Sequence, residues 1–279
     1  MSDTKRVDVF DEQGRDHGYI GDIEHWWFDP AFPHAFTIFD LDGFYGDPYF
    51  KQDHIQPGTA TTYADHVLTY GEQLLGEPVG SLLELGAATG WFSEEFLRRG
   101  IDLIAIEGTR AGFRRLAQRI PSDRAIRHDV RLRLDLGRSF DVAVCTEVAE
   151  HIEPPFSSQL VDNLVRHAPV VWFSFASPGT NEAHYHHSNE QPLEFWVNLF
   201  AFYGYASLLL PEEVTASVEG RGRVVFYDRS RFGHEVKARQ TAVRALGHTI
   251  ASAQGSQWRR RIKLFVPPVV HAVRNRLRG

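Results

Sequence analysis

The chain has 279 residues, 43% of them hydrophobic and 24% charged, with a formal net charge of −6, which is the composition of a soluble globular protein with a sizeable core. A single cysteine, Cys145, excludes disulfides and cysteine-rich metal sites. No stretch reaches the length of a membrane-spanning helix and the N-terminal MSDTKRVDVF lacks the apolar core of a signal peptide, so the expected compartment is the reducing cytoplasm.

The first sixty residues read as an extension. Residues 6–23 alternate strand-like side chains around Gln13-Gly14, which predicts a small hairpin. Residues 25–50 are dense in aromatics, among them Trp26, Trp27, Phe28, Phe39, Tyr45, Tyr49 and Phe50. Such a segment either caps a ligand cleft and walls an acceptor pocket, or clamps the extension onto the body as a satellite core. Within it Asp40-Leu-Asp42-Gly43 has the look of a phosphatase nucleophile motif, but nothing downstream supplies the other parts of such a site in order.

From Tyr63 onward the pattern alternates helix and strand. Tyr63 to Leu75 predicts a leading helix, and Ser81 to Leu85 a buried strand that runs into Glu84-x-Gly86-x-x-x-Gly90. Glycines there let the backbone turn tightly and approach a ligand, and a side chain at Gly86 or Gly90 is expected to fill the ligand's space. No Gly-Lys-Ser/Thr follows, so this is not a triphosphate loop. A helix over Trp91 to Arg99 comes next, then a strand ending in Glu107, where a doubly wound fold places a ribose-binding acid. A helix over Arg110 to Arg119, a strand over Ala125 to His128 ending at Asp129, and a strand over Val142 to Thr146 continue the series. Phe156 to His167 and Pro192 to Tyr203 predict helices, and Val170 to Phe175 a fifth buried strand. Tyr205 to Leu210 and Arg223 to Asp228 close the sheet as an antiparallel pair joined through Gly220 and Gly222. The fold class is therefore α/β, a Rossmann-like sheet of seven mostly parallel strands with helices on both faces.

Glu147-Val-Ala-Glu-His151 follows the fourth core strand. If these five residues form one helical turn, Glu147, Glu150 and His151 face one way, and two carboxylates with an imidazole can relay a proton or grip a divalent metal. His187, beyond the fifth strand, is expected across the mouth of the same cleft. Asn189, Glu190 and Gln191 are short polar groups suited to holding a hydroxylated acceptor.

The ELGAATG, IAIEG, HDV and FDVAVCTEVAEHI segments, in that order, resemble the motifs of class I S-adenosylmethionine-dependent methyltransferases, and His187 to Trp196 (HSNEQPLEFW) is similar to a motif of some bacterial members. The resemblance covers roughly Thr61 to Ser230 and implies S-adenosylmethionine as cofactor. It implies that Glu84, Gly86, Ala87 and Gly90 hold the methionine part, Glu107 the ribose, and Asp129 with Val130 the adenine, with Thr146 at the end of the fourth strand. Trp91, bulky where the family turns into its helix, departs from the pattern. The resemblance extends to metal-dependent small-RNA 2′-O-methyltransferases, whose Glu-x-x-Glu-His and distant His map onto Glu147, Glu150, His151 and His187 as ligands of Mg2+ or a similar ion. His151 or His187, supported by Glu150, serves as a metal-free catalytic base in the other reading.

The expected organisation is an extension or lid over 1–60, a methyltransferase core over 61–235 and a basic segment over 236–279. That last segment carries ten Lys or Arg and no acid, which leaves 20 basic and 36 acidic side chains before it and a net charge of −16 there. Such a body repels bulk nucleic acid, whereas the tail can touch a membrane surface or a partner, or pair with the acidic body. The function expected from these readings is methyl transfer to a small hydroxylated acceptor, a sugar or natural-product intermediate, at oxygen. The alternatives are a metal-dependent RNA 2′-O-methyltransferase and a non-catalytic cofactor-binding scaffold.

Overall fold

The computed structural model describes residues 8–10, 16–19, 41–51, 57–178, 187–219 and 221–232. Two units divide the chain, Met1–Gly233 and His234–Gly279, and the second, with the basic segment, lies outside the described residues. So do Trp26, Trp27, Phe28, Phe39 and Asp40 of the extension. In the extension, β1 (Asp8–Phe10) pairs antiparallel with β2 (Asp16–Tyr19), as the alternation predicts, and α1 is a single turn, Leu41–Phe44. The core runs α2 (Pro57–Leu75), β3 (Ser81–Leu85), α3 (Trp91–Arg98), β4 (Asp102–Glu107), α4 (Arg110–Arg119), β5 (Ala125–Arg127) and β6 (Val142–Cys145). It continues with α5 (Ser157–His167), β7 (Val170–Phe173), α6 (Leu193–Phe202), β8 (Tyr205–Leu209), α7 (Glu212–Ser217) and β9 (Val224–Asp228).

The seven-stranded sheet has the order β5-β4-β3-β6-β7-β9-β8, and β9 alone runs against its neighbours. Alternate side chains of each strand go to opposite faces, and both faces are apolar, as a sheet covered on both sides requires. Leu82, Leu103, Val142, Val144 and Trp172 pack with Tyr63, Val67, Phe92, Phe96 and Leu116 of α2, α3 and α4. Leu83, Leu85, Ile106, Cys145 and Phe173 pack with Leu160, Leu164, Trp196 and Phe200 of α5 and α6 on the other face. Cys145 is fully buried in this layer and burial pushes its thiol pKa up, so it is a packing residue.

Two differences from the sequence reading concern boundaries. α2 begins at Pro57 rather than Tyr63, since Pro at the first helical position needs no N–H partner. The link between β8 and β9 is not a glycine turn alone but carries α7, whose Val214 turns into the core beside Leu210 and Val218.

The chain moves outward from β3 to β4 and β5, then returns to place β6 on the other side of β3. That reversal opens a crevice at the carboxyl ends of β3 and β6, where open α/β sheets take their ligands.

Candidate functional site

At the end of β3 the backbone turns through Gly86 with φ 79° and Gly90 with φ 84°, a left-handed region that costs glycine nothing. A Cβ at Gly86 would collide with Val148, and one at Gly90 would lie 2.7 Å from Leu116 Cδ1. The glycines are thus required by packing within the protein, where the sequence reading placed a ligand. Gly86 N and Ala87 N both donate to Ile106 O at 2.9 Å, which fixes the turn against β4. Trp91 leans away under the Arg119 guanidinium, 3.7 Å from its ring centroid, so its bulk goes to the helix layer.

Two acids stand beside this turn. Glu84 is buried, accepts from Ser93 Oγ, and has its pKa pushed up to about 8, chiefly by burial. A carboxyl raised in this way gains from a cationic partner such as an α-ammonium. Glu107 at the end of β4 is buried as well, and its pKa is raised by burial, against hydrogen bonds from Thr109 and Ala88. Thr109 Oγ1 receives Gly112 N at 3.1 Å and caps α4, so Glu107 is coupled to that helix start.

Asp129 follows β5, where its carboxylate lies in a buried ion cluster. Arg131 Nη2 donates to Asp129 Oδ2 at 2.7 Å and Arg131 Nη1 to Glu153 Oε1 at 3.0 Å, with all three side chains at most 5% exposed. Val130 is buried next to it and its carbonyl accepts from Asn163 Nδ2. Thr146, after β6, shares a 2.6 Å hydrogen bond with the Tyr63 hydroxyl.

The segment from Glu147 to His151 is not one helical turn. Glu147 takes a left-handed φ of 53° and a 3-10 turn starts only at Ala149. Glu147 is exposed and its Oε1 accepts from Ser174 Oγ at 2.7 Å. The turn brings Glu150 and His151 together with His187, one possible ligand atom of each lying within 4.8 Å of the others. Glu150 is 1% exposed, its Oε2 is buried without a hydrogen-bond partner, and its pKa is held well above the carboxylate range by burial and the nearby Glu147. The His151 and His187 rings meet edge-on with centroids 4.9 Å apart, and His187 Nδ1 lies 3.0 Å from Glu190 Oε1.

The segment that carries His187 is anchored from below. Ser188 N and Asn189 N both donate to Glu150 O, at 2.9 and 3.0 Å, and buried Asn189 Nδ2 reaches Ala149 O and Ser157 Oγ. Gln191 in turn donates to Asn189. These bonds staple the loop, with Asn189 buried beneath it.

One site residue escaped the sequence reading. Tyr45 of the extension puts its hydroxyl 2.8 Å from His151 Nδ1, with the rings edge-on at 5.4 Å. Its phenol is held well above its ordinary pKa by burial first, then by Tyr49 and Glu150. Tyr45, Phe50 and Ala111 form a small cluster with Leu41, Tyr49 and Ala88, so this part of the extension is a satellite core laid beside the glycine turn. Asp42, the only described acid of the phosphatase-like motif, is an ion-pair partner of Arg110 and Arg127.

A glycine turn after the first core strand, an acid ending the second, and a polar cluster where the fourth ends stand where open α/β sheets take their ligands. A family model described as a methyltransferase domain matches residues 56–204, and the chain belongs to that family, the S-adenosylmethionine-dependent methyltransferases. No curated protein matches the sequence. Among solved structures the chain is similar to the sugar N-methyltransferase KedS8 from Streptoalloteichus sp., at 16% identity and a TM-score of 0.52, over 66% of this chain and 92% of that one. It is also similar to SAM-bound CalS10 from Micromonospora echinaspora, an amino pentose methyltransferase involved in calicheamicin biosynthesis, at 16% identity and a TM-score of 0.51, over 70% of this chain and 100% of the other. Both likenesses are of fold. Among the described residues no helix is long and apolar enough to cross a membrane.

Proposed function

We propose that the chain methylates a small hydroxylated acceptor, a sugar or a natural-product intermediate, at oxygen, in the cytoplasm. The observation that carries this reading is the placement of His151 at the carboxyl end of β6, held by Tyr45 and flanked by His187 and Glu150. KedS8 is a sugar N-methyltransferase and CalS10 an amino pentose methyltransferase, which supports a sugar-like acceptor without fixing its atom.

The bound cofactor supplies a methyl group on a positively charged sulfur, open to in-line displacement. Glu84 would hold the ammonium of its methionine part, with Gly86, Ala87 and Gly90 as the turn against it and Glu107 on the ribose hydroxyls. Asp129 and Val130 would border the adenine, with Thr146 on the β6 side. His151 would take the proton of the acceptor hydroxyl as that oxygen becomes the nucleophile.

A second reading rests on the buried, unpartnered Oε2 of Glu150 among two imidazoles, a donor set that suits a divalent cation. Glu150, His151 and His187 would hold the ion with Glu147 beside them, and the ion would lower the pKa of an acceptor hydroxyl, as in RNA 2′-O-methylation. The deciding experiment offers labelled S-adenosylmethionine with hydroxylated sugars, aminosugars and 3′-terminal RNA, before and after exhaustive chelation. Chelation-resistant transfer to a sugar oxygen, abolished by His151→Ala, is the expected result. Transfer to nitrogen, or to RNA only with metal, overturns it.

A further inference from the structure

We infer that Tyr45 is the positioning residue of His151: it fixes the ring's orientation and keeps the proton of the neutral imidazole on Nδ1. The inference rests on His151 acting through its other ring nitrogen, as a base in the function proposed above or as a ligand in its metal-dependent alternative.

The two residues are 106 positions apart, and their contact is made by a phenol that is 7% exposed. A hydroxyl can donate or accept, so the bond alone allows either tautomer. The chemistry selects one. An imidazole that takes a proton or a cation at Nε2 must carry its own proton at Nδ1, and that N–H then donates to Tyr45 Oη. Carboxylates usually occupy this position; a tyrosine orients the ring without adding another acid beside buried Glu150. Tyr49 meets Tyr45 edge-on, Glu150, Glu153 and Arg131 act on its phenol electrostatically, and His187 meets the imidazole edge-on.

Ion pairs hold the segment in place. Arg110 Nε and N both donate to the Asp42 carboxylate, at 2.8 and 2.6 Å, and Arg127 Nη2 reaches it at 3.2 Å. Asp47 receives Arg114 Nη2 at 2.7 Å and Arg115 Nη1 at 2.8 Å. Residues 41–51 are therefore strapped to α4 and β5 on both sides of Tyr45, which converts an extension into part of the site.

The test is a long-range 1H–15N spectrum of the full chain labelled with [15N]histidine, with and without S-adenosylhomocysteine, His151 being assigned by His151→Gln. The expected result is a proton on Nδ1 of neutral His151. Tyr45→Phe keeps the ring packing and should move population to the Nε2–H form. Asp42→Asn with Asp47→Asn, which loosens the strap and leaves the tyrosine in place, should do the same in part. A wild-type proton on Nε2 would overturn the inference whatever the variants do, and so would an unchanged spectrum in Tyr45→Phe. Failure of S-adenosylhomocysteine to bind, with the Nδ1–H form intact, would remove the methyltransferase reading and leave this one standing.

Discussion

The carboxylate of Glu107 ties Ala88 to Thr109: its Oε2 accepts from Ala88 N at 2.8 Å, and its Oε1 accepts from Thr109 N at 2.8 Å and Thr109 Oγ1 at 2.7 Å. One acid thus shapes both the glycine turn and the start of α4. Glu107→Ala is expected to weaken S-adenosylhomocysteine binding by roughly 1.5 to 3 kcal/mol, the worth of hydrogen bonds to a charged group. Thermal unfolding should also show a loss, because Ala88 N and buried Thr109 N lose their acceptor. Unchanged affinity in calorimetry would remove Glu107 from the ribose site.

Glu84 predicts a pH dependence. Its pKa in the folded chain is about 8 against an ordinary 4.5, so between these values the folded state binds more protons than the unfolded one. Stability of the ligand-free protein should therefore be fully present below about 4.5 and fall as pH rises through 8. Glu84→Gln, which mimics the protonated acid, should flatten that slope in urea titrations run across the range. A cationic methionine group would favour the ionised carboxylate, so binding S-adenosylhomocysteine at neutral pH should release a proton. Calorimetry in buffers of different ionisation enthalpy reads that release, and Glu84→Gln should abolish it.

Gly86 is expected to tolerate no side chain. Gly86→Ala meets Val148 and places alanine at a left-handed φ of 79°, a strain of roughly 1 to 2 kcal/mol before the clash is counted. Adding Val148→Ala should restore the part of the melting temperature lost to the clash and none of the part lost to the backbone. Equal stability of Gly86→Ala and wild type would contradict the geometry of the turn.

Arg131 bridges two buried acids, so Arg131→Met should remove the cation that both of them contact and cost about 3 to 5 kcal/mol. A urea midpoint unchanged in Arg131→Met would argue against that role.

The sheet was legible in the sequence because strands buried on both faces are written as short apolar runs, such as Leu82 to Leu85 and Val170 to Phe173, between turn residues. Glu107 was legible for the same reason, since it stands where the apolar run of β4 stops. Tyr45 was not, since a sequence dense in aromatics does not say which one meets a histidine 106 residues away. Nor was α7, whose six residues are too few to show a helical period. Gly86 was read as glycine for the right reason, a tight left-handed turn, and for the wrong neighbour, because the residue over it, Val148, comes from beyond the fourth core strand. Asn189 looked like an acceptor ligand on polarity alone, and burial made it a staple.

The most direct measurement is calorimetric titration of the purified full chain with S-adenosylhomocysteine. One saturable site is expected, weakened roughly tenfold or more by Glu107→Ala and left intact by His151→Ala, which should abolish methyl transfer alone. No heat with S-adenosylhomocysteine, and none with S-adenosylmethionine, would contradict a donor site across the ends of β3 and β4.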